Sequence, residues 1–289
     1  MTSIFESKAN QIALFFLLMG INIIVFSYFA GVTATMFFGS DNLTAAEALR
    51  YINSITQIGV FGLTAFGFAF IISNKKPIHY LKLRGGVPAF TYIIITLIAI
   101  ISLPAMSYII TWNEGVHFPQ FMSSIEAWMR EKEDYVLKIS SLMLSGDTMG
   151  ILLANLLVMG IIPSLCEEFL FRGVIITWIK NHFGNIHVAV FLSAFIFSAM
   201  HLQFYGFVPR FLLGMYLGYL FIWTGSLLPC IIVHFINNAM TVVVSFLYNK
   251  QIINIDYDNF GNVGNNYLLL GISVVFTSIL IYILRRKRD

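Results

Sequence analysis

Eight long apolar stretches, separated by short polar segments, constrain this chain of 289 residues more than any other feature. A lipid bilayer core is about 30 Å thick and requires about 20 consecutive apolar residues per helix. The stretches cover residues 11–35, 54–73, 88–111, 147–165, 188–204, 207–224, 227–248 and 266–284. They predict an all-α, polytopic membrane protein with about eight transmembrane helices.

The composition agrees with a membrane protein. Hydrophobic residues make up 58% of the chain and charged residues 11%, whereas soluble domains usually contain about 45–50% apolar and about 25% charged residues. These values exclude a soluble enzyme, a disordered chain and a nucleic-acid binder with a basic face, so no nucleic-acid partner is expected. The first stretch lacks a basic n-region and a clearly placed cleavage site, so it is interpreted as a transmembrane helix and not as a signal peptide.

We expect one structural domain in three parts. Residues 1–146 contribute the N-terminal transmembrane helices and an amphipathic segment, residues 147–248 a helical core with the candidate site, and residues 249–289 a loop and the last transmembrane helix. Within the first part, residues 117–144 mix apolar residues with many charges. This pattern predicts an amphipathic helix that lies at the outer face of the bilayer.

Basic residues indicate the orientation, because cytoplasmic loops carry an excess of lysine and arginine. One cluster follows the second stretch and another ends the chain: Lys75, Lys76, Lys82, Arg84, Arg285, Arg286, Lys287 and Arg288. The loop at 249–265 combines Lys250 with Asp256 and Asp258. With eight spans, both termini are expected in the cytoplasm, and the short loops favour a bacterial inner membrane.

Three charged residues, Glu167, Glu168 and Arg172, interrupt the apolar sequence between residues 148 and 180. Each charge at the middle of a membrane helix costs about 2.5–3.5 kcal/mol, so these residues are candidates for function. Glu168 and Arg172 are four residues apart and can pair along a helix, whereas Glu167 points about 100° away from Glu168. Pro163 leaves two possibilities open, one kinked helix or two helices that meet there.

Polar residues of the following stretches are predicted to reach the same depth. Gly184 marks a turn between antiparallel helices, and Glu167 and His201 are equally distant from it in the sequence. His234 and Asn238 are four residues apart on one face of the seventh stretch, also near the middle of the membrane. We therefore expect the four residues to form one intramembrane site.

These residue types suit hydrolysis of an amide bond by an activated water. A Glu and a His beside one water act as a general base, and a second His with an Asn can donate hydrogen bonds to an oxyanion. Glu167, His201 and His234 also suit zinc, although the chain has no His-Glu-x-x-His motif. Cys166 is interpreted as a buried apolar residue and not as a nucleophile, and Arg210 as an anchor at the membrane interface.

Two other classes of function remain open. An ion-coupled transporter would use Glu167, His201 and His234 as a relay, and a non-catalytic immunity or scaffold protein would only bind peptides. A hydrolase should lose nearly all activity with Glu167→Gln. A transporter should tolerate Glu167→Asp with altered ion dependence, and a scaffold should be insensitive to either change.

Three motifs on successive stretches resemble those of a known family. They are Glu-Glu-x-x-x-Arg at Glu167, Glu168 and Arg172, Phe-x-x-x-His at Phe197 and His201, and His-x-x-x-Asn at His234 and Asn238. In these motifs the chain resembles the CAAX-protease and bacteriocin-processing intramembrane endopeptidases, which include the type II CAAX prenyl endopeptidase of the endoplasmic reticulum. The resemblance covers about residues 148–245.

The resemblance implies an intramembrane protease that acts on hydrophobic peptides or membrane proteins, or a relative with a role in bacteriocin immunity. Glu167 and His201 would then activate the water, and His234 and Asn238 would form the oxyanion site. Glu168 and Arg172 would be a supporting ion pair. A glutamate mechanism without a cofactor is favoured, and a zinc ion is the alternative.

Overall fold

The computed structural model describes residues 7–83, 85–255, 260–262, 264 and 266–286. Within these ranges every regular element is helical, which confirms the predicted all-α class. In chain order the helices are α1 (Lys8–Phe38), α2 (Ala46–Ile72), α3 (Pro77–Tyr80), α4 (Ala89–Ile101), α5 (Leu103–Glu114), α6 (Ser123–Leu144), α7 (Met149–Phe183), α8 (Ile186–Ala199), α9 (Phe207–Thr224), α10 (Leu228–Asn249) and α11 (Tyr267–Arg286). Of the residues used to predict the orientation, Arg84, Asp256, Asp258, Lys287 and Arg288 lie outside the described ranges.

Six of the described helices are long and apolar enough to cross a membrane, namely α1, α2, α7, α9, α10 and α11. The helices α4 and α5 form a seventh span when they are counted together, with a bend of 45° between them. The remaining predicted stretch corresponds to α8, which has only 14 residues and is about 21 Å long at 1.5 Å per residue. The chain is thus an integral membrane protein, and eight is an approximate count of its spans.

The helix α7 is continuous over 35 residues, which decides between the two possibilities left open at Pro163. Two segments of π-helix, Leu156–Ile161 and Phe169–Ile176, lie within it. Pro163 comes just after the first segment, where the wider turn accommodates a residue that cannot donate a backbone hydrogen bond. The second segment begins directly after Glu168, so the candidate carboxylates lie between two irregular turns of one helix.

A tight turn reverses the chain after α7. Gly184 has a φ angle of 68°, a left-handed conformation that suits glycine at the end of a helix. Asn185 then caps α8, because its side-chain oxygen accepts hydrogen bonds from the backbone N–H groups of His187 and Val188. The predicted turn between α7 and α8 is therefore present in the structure.

Glycines allow the helices around α7 to approach one another closely. A Cβ atom at Gly214 of α9 would lie 3.0 Å from the Ala194 side chain of α8, and one at Gly218 would lie 2.8 Å from Val190. Small residues at such contacts favour helix association in membranes. The same packing buries Phe171 of α7 at the centre of the molecule.

The amphipathic segment forms a helix, α6, as predicted from residues 117–144. Near its start, Glu126 accepts hydrogen bonds from the backbone N–H of Phe118 (3.0 Å) and from Arg130 (2.8 Å). At its end, the Leu144 carbonyl accepts a hydrogen bond from Asn249 at the end of α10 (2.9 Å). Both ends of α6 are thus held by polar contacts, and its location at the outer face of the bilayer stays a prediction.

Candidate active site

The centre of the site is a buried ion pair on α7. Glu168 and Arg172 are fully buried, and Arg172 Nη1 donates a hydrogen bond of 2.6 Å to Glu168 Oε1. Arg172 Nη2 also donates to the Gly214 carbonyl of α9 (3.2 Å). The structure therefore contains the pair that the four-residue spacing predicts, and the pair reaches across to a neighbouring helix.

His234 of α10 connects this pair to the second carboxylate. Its Nδ1 atom lies 2.8 Å from Glu168 Oε1, and its Nε2 atom lies 3.8 Å from Glu167 Oε2. Because a carboxylate oxygen only accepts hydrogen bonds, the contact with Glu168 requires Nδ1–H as the hydrogen-bond donor. The imidazole ring consequently presents Nε2 to Glu167.

Phe197 of α8 gives the Phe-x-x-x-His motif a structural explanation. Its ring is buried edge-to-face against His201 (centroids 5.0 Å apart) and His234 (5.8 Å), and it lies 4.9 Å from the Arg172 guanidinium. The Phe197 carbonyl accepts a hydrogen bond of 2.8 Å from His201 Nδ1. One residue thus contacts both candidate histidines and leaves His201 Nε2 available.

His201 lies just beyond the end of α8 and is half-buried. It interacts electrostatically with Glu167, although the described residues show neither a hydrogen bond nor an ion pair between the two. Asn238 lies one turn beyond His234 and accepts a hydrogen bond from Asn237 (3.3 Å). The structure therefore brings Glu167 into direct proximity with His234, while His201 and Asn238 lie at the margin of this cluster.

The site contains several buried charged groups inside a membrane protein. Arg172 pairs with Glu168, and His234 lies beside both Glu168 and Glu167. Glu168 Oε2 and Arg172 Nε are buried without a hydrogen bond among the described residues. Isolated buried charges are costly, so these contacts bind the members of the cluster into one unit.

Gln57 is a site residue that the sequence reasoning missed. It lies on α2, and its Nε2 atom donates a hydrogen bond of 3.1 Å to Glu167 Oε1. The two residues are far apart in the chain, so no local spacing relates them. The one signal in the sequence is an amide side chain near the start of an otherwise apolar stretch.

Arg210 lies in the first turn of α9, and its interpretation as an interfacial anchor stays a prediction. Its guanidinium packs back against Gly206, and Nη1 donates a hydrogen bond of 3.3 Å to the Gln203 carbonyl. It interacts electrostatically with Glu167 and Glu133. Arg210 therefore lies beside the loop that follows His201, and its position in the sequence gave no signal for this placement.

The geometry of the site can be compared with two further expectations, the zinc alternative and the apolar role of Cys166. Among the described residues, no group of three or more His, Cys, Asp or Glu side chains is arranged to hold a metal ion. Zinc at Glu167, His201 and His234 therefore stays an untested alternative. Cys166 is buried against Gly62 of α2, in agreement with an apolar role.

The fold and this cluster define a class of protein, a helical membrane protein with a buried Glu-Glu-Arg-His site. Within the chain, residues 149–240 match the family model described as Type II CAAX prenyl endopeptidase Rce1-like. The match covers the segment that carries all three motifs, and it confirms the family resemblance there.

A curated relative agrees with this result. The chain is similar to the Sporulation-killing factor biosynthesis protein SkfC of Bacillus subtilis, with 37% identity over 92 residues. The alignment covers 29% of this chain and 18% of the length of that relative. No solved structure matches the chain. Together the comparisons show a similarity of part of the chain to proteins of the CAAX-protease type.

Proposed function

We propose that the chain is an intramembrane endopeptidase that uses a water activated by Glu167 and His201. The observation that carries the proposal is the buried Glu167 carboxylate, which faces His234 Nε2 at 3.8 Å beside the Glu168–Arg172 pair. A carboxylate held in a low-dielectric site next to an imidazole is suited to general-base catalysis.

In the proposed reaction, the water gives a proton to Glu167 while its oxygen adds to the carbonyl carbon of the peptide. His201 keeps Nε2 for the same water, because Nδ1 is bonded to the Phe197 carbonyl. The oxyanion accepts hydrogen bonds from Asn238 and from His234 Nε2–H, a role that requires the His234 ring to carry both protons. Protonated Glu167 then gives this proton to the amide nitrogen, the C–N bond breaks, and a carboxylate and an amine are released while Glu167 returns to its carboxylate form.

The proposed substrates are hydrophobic peptides or tails of membrane proteins. The relative in Bacillus subtilis is named for the biosynthesis of a sporulation-killing factor, and a role in the biosynthesis of such a factor is one proposed use of this activity. The proposed location is the bacterial inner membrane, with the lipid bilayer as a permanent partner and both termini in the cytoplasm.

Contacts inside the molecule support one part of this orientation, namely that both termini are on the same side of the membrane. Lys8 Nζ at the start of α1 donates to the carbonyl of His182 near the end of α7 (3.4 Å). Arg285 near the end of α11 and His187 at the start of α8 line one cavity. Both ends of the described chain therefore lie near the α7–α8 turn, on one side of the helices.

The test of the proposed function compares peptide termini in cells that express the wild-type protein or Glu167→Gln at equal abundance. Glu131→Gln is the matched control, because Glu131 is an exposed residue of α6 and undergoes the same chemical change. We expect particular peptide fragments to disappear with Glu167→Gln and to persist with Glu131→Gln. Identical fragments in all three strains would contradict catalysis and favour the scaffold or transporter alternative.

Metal independence is tested separately on the purified protein. We expect the rate of peptide cleavage to stay within about twofold after treatment with a zinc chelator and removal of the chelator. A loss of activity that added zinc restores would contradict the glutamate mechanism and favour zinc at Glu167, His201 and His234.

A further inference from the structure

Gln57 belongs to α2, outside the matched segment 149–240, yet its side chain reaches the candidate site. A segment of π-helix, Gln57–Leu63, begins at this residue and interrupts the regular turns of α2. Gly62 of the same segment packs against Cys166, the residue before Glu167, and a Cβ atom at Gly62 would lie 3.0 Å from the Cys166 sulfur. This close approach of α2 to α7 places the Gln57 amide beside Glu167.

Because of the hydrogen bond from Gln57, the two carboxylate oxygens of Glu167 have different partners. Gln57 Nε2 donates to Oε1 at 3.1 Å, while Oε2 faces His234 Nε2 at 3.8 Å. The opposite orientation of the amide would direct the Gln57 oxygen at the carboxylate, so that two acceptors would face each other. The amide thus restrains the rotation of the Glu167 carboxylate.

In the described part of the chain, no contact other than the one with Glu167 explains the orientation of the Gln57 amide. Its Oε1 atom is buried and accepts no hydrogen bond there, and the bond to Glu167 is the one hydrogen bond found for its side chain. Buried polar groups in native proteins usually have their hydrogen bonds satisfied. A glutamine that is incompletely satisfied and directed at Glu167 is better explained by the site than by the packing of α2.

We propose that Gln57 is a positioning residue, which holds the Glu167 carboxylate so that Oε2 faces His234 and the water. This inference rests on the proposed function and adds the N-terminal helices to the site. It implies that the matched segment alone, without α2, lacks part of the catalytic geometry.

The kinetic test uses Gln57→Met, which keeps the length of the side chain and removes its hydrogen bond. We expect kcat for a cleaved peptide to fall at least about tenfold, with KM within about twofold, and Gln57→Asn to retain more activity than Gln57→Met. Asn53→Leu is the control, because Asn53 lies one turn earlier on α2 and donates to the Val158 carbonyl, not to Glu167. If Gln57→Met has the wild-type kcat while Glu167→Gln is inactive, the inference about Gln57 is overturned and the proposed function stands.

A second measurement does not depend on activity. Gln57→Glu places a carboxylate against Glu167, so we expect it to lower the thermal unfolding temperature in detergent. In the Glu167→Gln background the same change restores an amide–carboxylate pair, and we expect little or no loss. An equal loss in both backgrounds would show that the two side chains do not interact and would overturn the inference. The loss of thermal stability can depend on Glu167 while wild type and Glu167→Gln give identical peptide profiles. In that case the contact between Gln57 and Glu167 is real, but the proposed function and the positioning role of Gln57 in catalysis are both refuted.

Discussion

Glu168 illustrates how this site keeps charge inside the membrane part of the protein. One oxygen, Oε1, accepts hydrogen bonds from both Arg172 and His234. The carboxylate therefore joins two helices, α7 and α10, through one atom. Removal of either donor leaves a buried charge with weaker compensation, which is more harmful than removal of the whole pair.

We predict that Arg172→Met lowers the free energy of unfolding by about 3–5 kcal/mol, because it leaves Glu168 as a poorly compensated buried carboxylate. The double variant Glu168→Gln/Arg172→Met removes both charges and should recover a large part of this loss. Unfolding in detergent, followed by circular dichroism, measures both. A double variant less stable than Arg172→Met would contradict this account of the pair.

Individual residues also show which contacts can be predicted from the sequence. The Glu168–Arg172 pair follows from helical spacing, which is a local property. The contact between Gln57 and Glu167 depends on how α2 and α7 pack, and the position of Arg210 depends on the course of the loop after His201. Neither has a local pattern, so only the folded structure reveals them.

At the scale of elements, α6 holds the loop that follows His201. Glu133 accepts hydrogen bonds from Gln203 Nε2 (3.2 Å) and from the backbone N–H of Tyr205 (3.0 Å). The Arg130 guanidinium lies over the Tyr205 ring at 4.2 Å. An amphipathic helix predicted only from its mixed composition thus contacts the segment next to a candidate catalytic residue.

We predict that Glu133→Gln loosens residues 200–206 and reduces peptide cleavage. Hydrogen bonds to a charged group contribute about 1.5–3 kcal/mol, so protection of the Tyr205 amide against hydrogen exchange should fall by about tenfold or more. Glu131→Gln, two residues away on α6, is the exposed control and should leave the exchange unchanged. Equal protection in Glu133→Gln and wild type would show that α6 does not hold the loop.

Glu126 gives α6 a dependence on pH. The backbone N–H of Phe118, together with Arg130 and His117, lowers the pKa of Glu126 from 4.5 to about 2. A lowered pKa in the folded state means that the stabilisation is complete above pH 4.5 and is lost as the pH falls toward 2. We predict that the unfolding temperature of wild type falls more steeply across this window than that of Glu126→Gln. Parallel curves would contradict the role of Glu126.

At the scale of the whole molecule, all eight apolar stretches are helices in the described ranges, while their lengths depart from the simple pattern. The sequence alone does not show that α7 continues through Pro163 for 35 residues or that α8 has only 14. Hydropathy reports where the chain is apolar, whereas π segments and neighbouring helices decide where a helix continues. The existence of the helices was therefore predictable, and their exact extent was not.

The proposed orientation predicts the accessibility of introduced cysteines. The native Cys166 and Cys230 are buried, whereas Lys76 and Lys250 are exposed. We expect a membrane-impermeant maleimide to label Lys250→Cys in intact spheroplasts, and Lys76→Cys only after the membrane is disrupted. The reverse pattern would place both termini outside the cytoplasm.

The shortness of α8 has a consequence for solvation. A helix of about 21 Å ends before it could cross a bilayer core of about 30 Å, so the chain returns through irregular backbone whose polar groups need a substitute for water. Side chains of α5 and of α8 itself provide it. Asn113 donates to the Phe204 carbonyl and accepts from the Val208 N–H, and Ser198 donates to the Phe207 carbonyl. These side chains do for the backbone around residues 204–208 what bulk solvent does for an ordinary surface loop, close to a candidate catalytic histidine at the end of a helix.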